Sequence, residues 1–321
     1  MRFSVDPWDP TYGTSLDADL GASSAEVDAD VEVPRARWRP LEPDPRTARP
    51  EAVLFVDGVR RVDAQVWVDD GQVGAAAPGL CASYAAGVVC CCPGDGAHLL
   101  AAHVKRGLFT TADDATDVVT GAGTYSATGR VAPAGDAPPM QLLSQALQTR
   151  LAEVELLAAA AARAEHGLGT DSGDDLLVVD GPLRGRQHLP RALGFVKSHR
   201  SDYLPAPQGA VVAELRTGQR TPVFRVGTSW ERFTWYLRLP CPPGAPWAGI
   251  VRVECTAELP VADAVALATL SQATLVRFAS TEYKDSRAPQ NLYPIGGLER
   301  ALRRRLGEPA LLYRALRRAA A

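Results

Sequence analysis

The stretch that most constrains this chain is Leu176–Leu183, LLVVDGPL. Four apolar residues, two of them β-branched, run directly into an acid and then Gly-Pro. A short continuous apolar run reads as a strand covered on both faces, and Gly181 and Pro182 end it. Asp180 therefore falls at the last residue of a central strand, where a carboxylate is costly to bury unless a cation meets it. The phrase recurs upstream: Ala52–Gly58 reads AVLFVDG and puts Asp57 in the equivalent place. Two strands each ending in Asp-Gly set two carboxylates at one edge of a sheet. Confined carboxylates repel, and a divalent cation or a shared proton resolves the repulsion. Either Asp-Gly alone is equally well a turn. The repetition of the whole phrase is what points to a site.

Residues 139–166 carry the clearest helical pattern, with Pro139 at its start and Gly167 just past its end. At about 100° per residue, Glu155 shares a face with Leu151, Ala152, Ala158, Ala159 and Ala162, whereas Glu153 lies about 160° away. Glu155 thus points to the apolar side, where an acid requires a partner, an arginine or a metal.

Around these motifs, residues 51–92 read as an antiparallel meander. Strands are expected at Ala52–Val56, Asp63–Val68 and Val88–Cys92, with tight turns at Arg60-Arg61 and at Asp69-Asp70-Gly71. Residues 93–135 read as loops with one or two short elements. Further on, Leu193–Ser198, Val211–Leu215, Thr221–Val226, Phe233–Leu239 and Trp247–Glu254 read as strands, and Ala262–Ala279 as a helix. Residues 280–297 read as a Pro/Gly-broken loop, and Leu298–Leu306 and Pro309–Ala319 as short arginine-bearing helices. The order is strand-Asp, two antiparallel strands, helix-Glu, strand-Asp. That is the layout of an RNase H-like nuclease core, in which Asp57, Glu155 and Asp180 converge. Hard oxygen donors suit Mg²⁺ or Mn²⁺. Two such ions about 4 Å apart activate a water and stabilise the leaving 3′-oxygen of a phosphodiester. The expected fold is α/β, an RNase H-like mixed sheet flanked by helices over residues 51–321, preceded by an irregular acidic arm over residues 1–50.

The arm holds ten acids against six arginines, and its Trp8, Tyr12 and Trp38 are candidates to dock on the body; residues 280–321 hold nine Lys/Arg against four acids. The net charge of −3 gives no global pull toward nucleic acid or membrane. Six cysteines occur without a CxxC pair, three of them in the apolar run YAAGVVCCC. They read as small buried residues of a reducing compartment, and His98 and His103 suggest no zinc motif. The N-terminus lacks the apolar core of a signal peptide, and no apolar run approaches the roughly 18 residues of a membrane span. A soluble, cytoplasmic, nucleoid-associated protein with no membrane partner is expected. No P-loop motif occurs, so any ATP use falls to a partner.

VDGV at 56–59, the inward Glu155, VVDGPL at 178–183, GFVKS at 194–198 and NLYPIGGLERAL at 291–302 together resemble the NurA nucleases, over residues 51–321. The resemblance implies an RNase H-like fold and a Mn²⁺- (or Mg²⁺-) dependent 5′→3′ exonuclease on DNA, with endonuclease activity on single strands. It also implies a homodimer that docks on a hexameric HerA-type ATPase in DNA end resection and repair. Asp57, Glu155 and Asp180 match the family's metal-binding acids, and Tyr293 matches a tyrosine before proline in its C-terminal motif. Two departures stand out. Val59 replaces a serine, and Ala301 and Leu302 stand where the family carries a histidine, leaving Glu299 or Asp285 as stand-ins.

Lys197 ends a strand and is either a contact to the scissile phosphate or a solvated strand-end lysine. Arg303 and Arg304, with Arg305, Arg314, Arg317 and Arg318, either track a DNA backbone or form the solvent face of amphipathic helices. Trp230, Phe233, Trp235 and Tyr236 read as core rather than as a base-stacking platform. Two other classes stay open. One is a DNA-binding or scaffold subunit of a helicase complex that lost catalysis with the histidine. The other is an unrelated two-aspartate phosphohydrolase acting on small phosphoesters.

Overall fold

The computed structural model describes residues 16–22, 24–69, 76–132, 135–165, 174–242, 244 and 247–320. In chain order the elements are β1 (Leu16–Ala22), β2 (Glu26–Asp28), β3 (Ala52–Asp69), β4 (Ala76–Cys92), β5 (Gly96–Thr110), β6 (Val118–Thr120), β7 (Gly123–Arg130), α1 (Pro139–Glu165), β8 (Asp175–Asp180), β9 (Ala192–Val196), β10 (His199–Asp202), α2 (Ala206–Glu214), β11 (Phe224–Gly227), β12 (Glu231–Arg238), β13 (Ile250–Thr256), α3 (Val261–Leu275), α4 (Tyr293–Arg305) and α5 (Pro309–Ala319). The fold is α/β, with a mixed eleven-stranded sheet in the order β2-β11-β12-β13-β9-β8-β3-β4-β5-β7-β6 and a separate β1-β10 pair. The chain divides into two compact units. One comprises residues 1–55, 90–98 and 168–296, the other residues 56–89, 99–167 and 297–321.

The first unit is built on apolar strands. Val53, Phe55, Leu176, Val178, Leu193, Phe195, Trp235 and Val253 share one core, and Phe55 meets Phe278 edge-on at 4.9 Å. β8 pairs parallel with β9, and β9 and β12 flank β13 antiparallel. The segment Val261–Phe278, α3 with one further 3₁₀ turn, is long and apolar enough to cross a membrane by length and composition. This corrects the expectation that no segment approaches that length. Thr269, Ser271, Gln272 and Thr274 interrupt the run and mask it in the sequence. In the fold, Ala264, Leu267, Ala268 and Leu275 join the core of Trp235. The polar residues serve it too: Trp235 Nε1 donates to Ser271 Oγ at 3.1 Å, and Gln272 Nε2 donates to the carbonyls of Leu41 and Gly218.

Residues 16–22 and 24–50 are more ordered than an irregular arm. β1 pairs parallel with β10, and β2 pairs antiparallel with β11. Trp38 packs against Phe224 with the rings tilted by 55° and 5.7 Å apart and donates Nε1 to the Ala29 carbonyl, and Glu32 clasps Arg220 through two bonds of 2.8 and 2.9 Å. Asp30, Glu32 and Asp44 have specific arginine partners, Arg35, Arg220 and Arg46, which composition cannot reveal. Trp8 and Tyr12 lie outside the described residues. Val211–Leu215, expected as a strand, belongs to α2 and its end. Pro205 caps the helix, Val211 and Val212 are buried, and Val212 and Leu215 join a cluster with Phe224 and Tyr236, so tertiary burial outweighs β propensity.

In the second unit the expected turn at Arg60-Arg61 does not occur. β3 runs on as one strand of 18 residues. Its first half is buried on both faces and its second half alternates, as a strand does when cover is lost on one side. Arg61 is used within the strand: Nε donates to Asp63 at 2.8 Å, and a terminal nitrogen donates to the Gly307 carbonyl at 2.9 Å. Asp70-Gly71 lies outside the described residues. Residues 96–130, expected as loops, supply β5, β6 and β7, whose glycines and threonines hid the pattern. Gly87 lets α4 approach β4, since a Cβ there would lie 2.6 Å from the Ala101 carbonyl oxygen and 3.2 Å from Leu298 and Leu302. α1 buries Leu143, Leu147, Leu151 and Val154 against Leu80, Tyr84 and Phe109. α4 starts five residues earlier than expected, at Tyr293, with Pro294 in its first turn.

Candidate functional site

In the first unit, β8 carries Leu176–Val179 fully buried to a partly exposed Asp180. Gly181 follows in the left-handed region at φ 91°, where a side chain is strained. Beside it, β9 sets Phe195 opposite Asp180. Gly194 is required there, because a Cβ would lie 2.7 Å from the Leu183 nitrogen and 2.8 Å from Glu254 Cγ. Two residues past Phe195, Lys197 donates Nζ to Asp180 Oδ2 at 2.7 Å and to Asn291 Oδ1 at 2.9 Å. Asn291 in turn donates Nδ2 to Asp285 Oδ2 at 2.8 Å. The other oxygen, Asp180 Oδ1, is buried and finds no hydrogen-bond donor among the described residues. A buried acceptor without a donor is rare.

Asp180 and Lys197 line a cleft of about 440 Å³ together with His199, Tyr203 and Arg252. Arg252 is held in place by Glu254 Oε2 at 2.6 Å, and its guanidinium carbon lies 5.2 Å from the Tyr203 ring centre. Glu254, fully buried, also accepts the Leu183 N–H at 2.8 Å and meets Arg232 at 3.2 Å. Burial first, and then the neighbouring Arg252, hold the Arg232 pKa below its ordinary value. The cleft therefore carries two fixed cations, suited to an anionic substrate. His199 offers its Nε2 to the Ile250 carbonyl at 3.2 Å between Tyr236 and Trp247, and burial pushes its pKa down from 6.5 to about 4. Tyr293 is partly exposed, its hydroxyl 2.8 Å from Thr281 Oγ1 and its ring 5.5 Å from Lys284 Nζ.

In the second unit, Asp57 is buried on β3 and accepts the Gly58 N–H at 2.7 Å. It lies within the strand, not at its end, so the proposed equivalence with Asp180 in strand position is corrected. Apolar cover continues past it to Val59, which is why no turn follows. Glu155 is buried on α1, while Glu153 pairs in solvent with Arg150 at 2.8 Å. A Cβ on Gly58 would lie 2.5 Å from Glu155 Oε1 and 2.7 Å from Leu151 Cδ1. The Glu155 carboxylate thus rests on the backbone immediately after Asp57, through a gap that only glycine leaves open.

Arg303 and Arg304 are exposed on α4, and Arg303 pairs with Glu299 at 3.1 Å. Leu302 is fully buried. Phe233, Trp235 and Tyr236 are core residues. Sequence reasoning missed Asn291, Tyr203, Arg252 and Glu254. Asn291 stands inside the NLYPIGG phrase. Arg252 and Glu254 alternate inside WAGIVRVE, and opposite charges two apart in an otherwise apolar strand were the available signal. Asp57 and Glu155 set two buried carboxylates together in the second unit, and carboxylate oxygens are the donor type that hard divalent cations take.

No family model matches this chain, and no curated protein matches it.

Proposed function

We propose that this chain is a divalent-metal-dependent deoxyribonuclease of the NurA type. It acts on DNA ends in resection and repair, as a homodimer with a hexameric HerA-type ATPase, in the cytoplasm at the nucleoid. The observation that carries this reading is the Asp180 carboxylate, with one oxygen neutralised by Lys197 and the other buried without a donor at the edge of a cationic cleft. Asp57 and Glu155 support it as two further buried acids at one spot. The element order supports an RNase H-like core: the long strands β3, β4 and β5, with the short β6 and β7 added after them, then α1, then β8 next to β3.

Mn²⁺ or Mg²⁺, when bound, supplies Lewis acidity and a water acidic enough to attack at neutral pH. The side chains do the rest. Asp57 and Glu155 in one unit and Asp180 in the other are the carboxylates that would give oxygen ligands. Lys197 and Arg252 receive the phosphodiester, and Asn291 holds Lys197 in place. Tyr293, fixed by Thr281, orients substrate or the attacking water. Arg303 and Arg304 contact the DNA backbone.

The test is degradation of end-labelled single- and double-stranded DNA with Mn²⁺, Mg²⁺ or EDTA, beside Asp57→Ala, Glu155→Gln and Asp180→Ala. Each variant should lose about 100-fold or more, roughly 2.7 kcal/mol of barrier. Cleavage that survives all three variants would refute the assignment. A second reading is a scaffold subunit that binds DNA without cutting it. It is favoured by Leu302, a fully buried leucine where the resembled family has a histidine, and by Glu299 being engaged with Arg303. It predicts DNA binding by the wild type with no cleavage under any metal.

A further inference from the structure

Cys90 and Cys92 are two residues apart on β4, so their side chains leave the same face of the strand. Cys91 between them points the other way, against the core of Phe55 and Trp235. The chain turns through residues 93–95 and returns as β5, bringing His98 back beside the two sulfurs. The two Sγ atoms and a ring nitrogen of His98 all lie within 4.8 Å of one another. Cys90 is buried, whereas Cys92 and His98 are partly exposed, so the cluster is reachable from solution. All three residues belong to the first unit.

We propose that Cys90, Cys92 and His98 form a binding site for one thiophilic divalent cation, Zn²⁺, which staples the β4–β5 turn. Two sulfurs and an imidazole are zinc's preferred donors, and they do not suit the hard cations that carboxylates take. With bonds of about 2.3 Å to sulfur and 2.0 Å to nitrogen, the donors of one tetrahedral ion sit about 3.5–4 Å apart. The three atoms need to close by only about an ångström. The second shell is also in place. His98 Nδ1 lies 3.3 Å from the Gly96 carbonyl, and the tautomer that donates there leaves the Nε2 lone pair free. Metal-bound histidines are oriented in this way by a backbone carbonyl. Water takes the fourth position. The spacing, Cys-x-Cys followed by histidine six residues later, is not a CxxC pair, and only the hairpin brings the three together.

The test uses the full chain, stripped by a chelator under reducing conditions and titrated with Co²⁺ as a spectroscopic probe, then with Zn²⁺. One Co²⁺ per chain should bind with the thiolate charge-transfer and intense visible bands of a tetrahedral site, and Zn²⁺ should displace it. Cys92→Ser and His98→Ala should each weaken binding at least 10-fold, while Cys91→Ser leaves it unchanged. Both variants alter partly exposed side chains, and circular dichroism checks that they fold. Absence of a thiolate band in the wild type would overturn the site, as would a band that persists in the Cys92→Ser/His98→Ala double variant. A Cys90–Cys92 disulfide formed in reducing buffer would do the same. Asp180→Ala should keep the cobalt spectrum, so this result stands or falls separately from the nuclease reading.

Discussion

Two carboxylates, one in each unit, pair with a cation, and they end in opposite conditions. Asp63 on β3 is saturated. Its Oδ1 accepts from Arg61 at 2.8 Å, and its Oδ2 accepts from Ser83 at 2.5 Å and Tyr125 at 2.9 Å. Asp180 at the end of β8 has one oxygen on Lys197 and the other without a donor. An ion pair is common to both, so it does not by itself mark a functional site. The difference lies in unfilled capacity. A saturated acid is scaffold, because every group around it is committed to holding it. An acid with an idle buried oxygen is poorly solvated as it stands, and a ligand improves it.

The largest expected effect breaks this comparison in two directions. Asp63→Ala removes the partner of a partly exposed arginine and of a buried tyrosine and serine at once, and should lower folding stability by about 3 kcal/mol, the low end for a broken buried pair. Activity per folded molecule should be kept. Asp180→Ala should do the reverse, abolishing metal-dependent cleavage with a far smaller change in the urea midpoint. If Asp180→Ala proves the more destabilising of the two, the distinction fails.

His199 gives the next effect, through pH. Its pKa falls from 6.5 in the unfolded chain to about 4 in the fold, because burial disfavours the imidazolium. Between those values the unfolded chain binds the extra proton. The stabilisation is therefore complete above pH 6.5 and is lost as the pH falls toward 4. It amounts to about 3 kcal/mol at most. Urea unfolding at pH 7 and pH 4.5 should show the loss in the wild type, and His199→Gln should flatten it. An unchanged slope in the variant would assign the acid sensitivity to other groups.

These contrasts also bound what the sequence could tell. LLVVDGPL announces β8 and Asp180 because a buried parallel strand needs an uninterrupted apolar run, and the helical period alone places Glu155 inward. Asp57 was found for a partly mistaken reason. The Asp-Gly after AVLFV read as a strand end, yet β3 continues, because Gly58 is there to admit Glu155 and not to turn the chain. The condition of each acid was invisible. Asp63 looked like any polar strand residue, since its partners Ser83 and Tyr125 are 20 and 62 residues away. Asn291, Tyr203 and Arg252 join Asp180 only through strand pairing and the cleft it frames. The strands of residues 96–130 were missed for a related reason: their glycines, threonines and alanines carry little periodic contrast, and neighbouring strands supply the order.

Gly58→Ala sharpens the comparison without touching an acid. The new Cβ would meet Glu155 Oε1 at 2.5 Å and Leu151 Cδ1 at 2.7 Å. Both are ends of flexible side chains, so the stability cost should be near the low end for overpacking, about 1 kcal/mol. The Glu155 carboxylate must move, however, and cleavage should fall about 10-fold or more. Wild-type activity in Gly58→Ala would show that the position of Glu155 does not matter to the reaction.

The smallest effect lies at the surface, where a partner is present but holds weakly. Arg303 meets Glu299 at 3.1 Å with 62% of its side chain exposed. Such a pair contributes about 0–1 kcal/mol and leaves the guanidinium free to be recruited. Arg303→Ala and Arg304→Ala should therefore leave stability within about 0.5 kcal/mol of wild type. If these arginines contact phosphates, each substitution should reduce the slope of log binding constant against log salt by about 0.7–0.9. The effect should be the same for every DNA sequence, because backbone contacts carry no base readout. An unchanged slope would mean that α4 turns a merely solvated face outward, and the phosphate contacts would then have to come from the fixed cations of the cleft, Lys197 and Arg252.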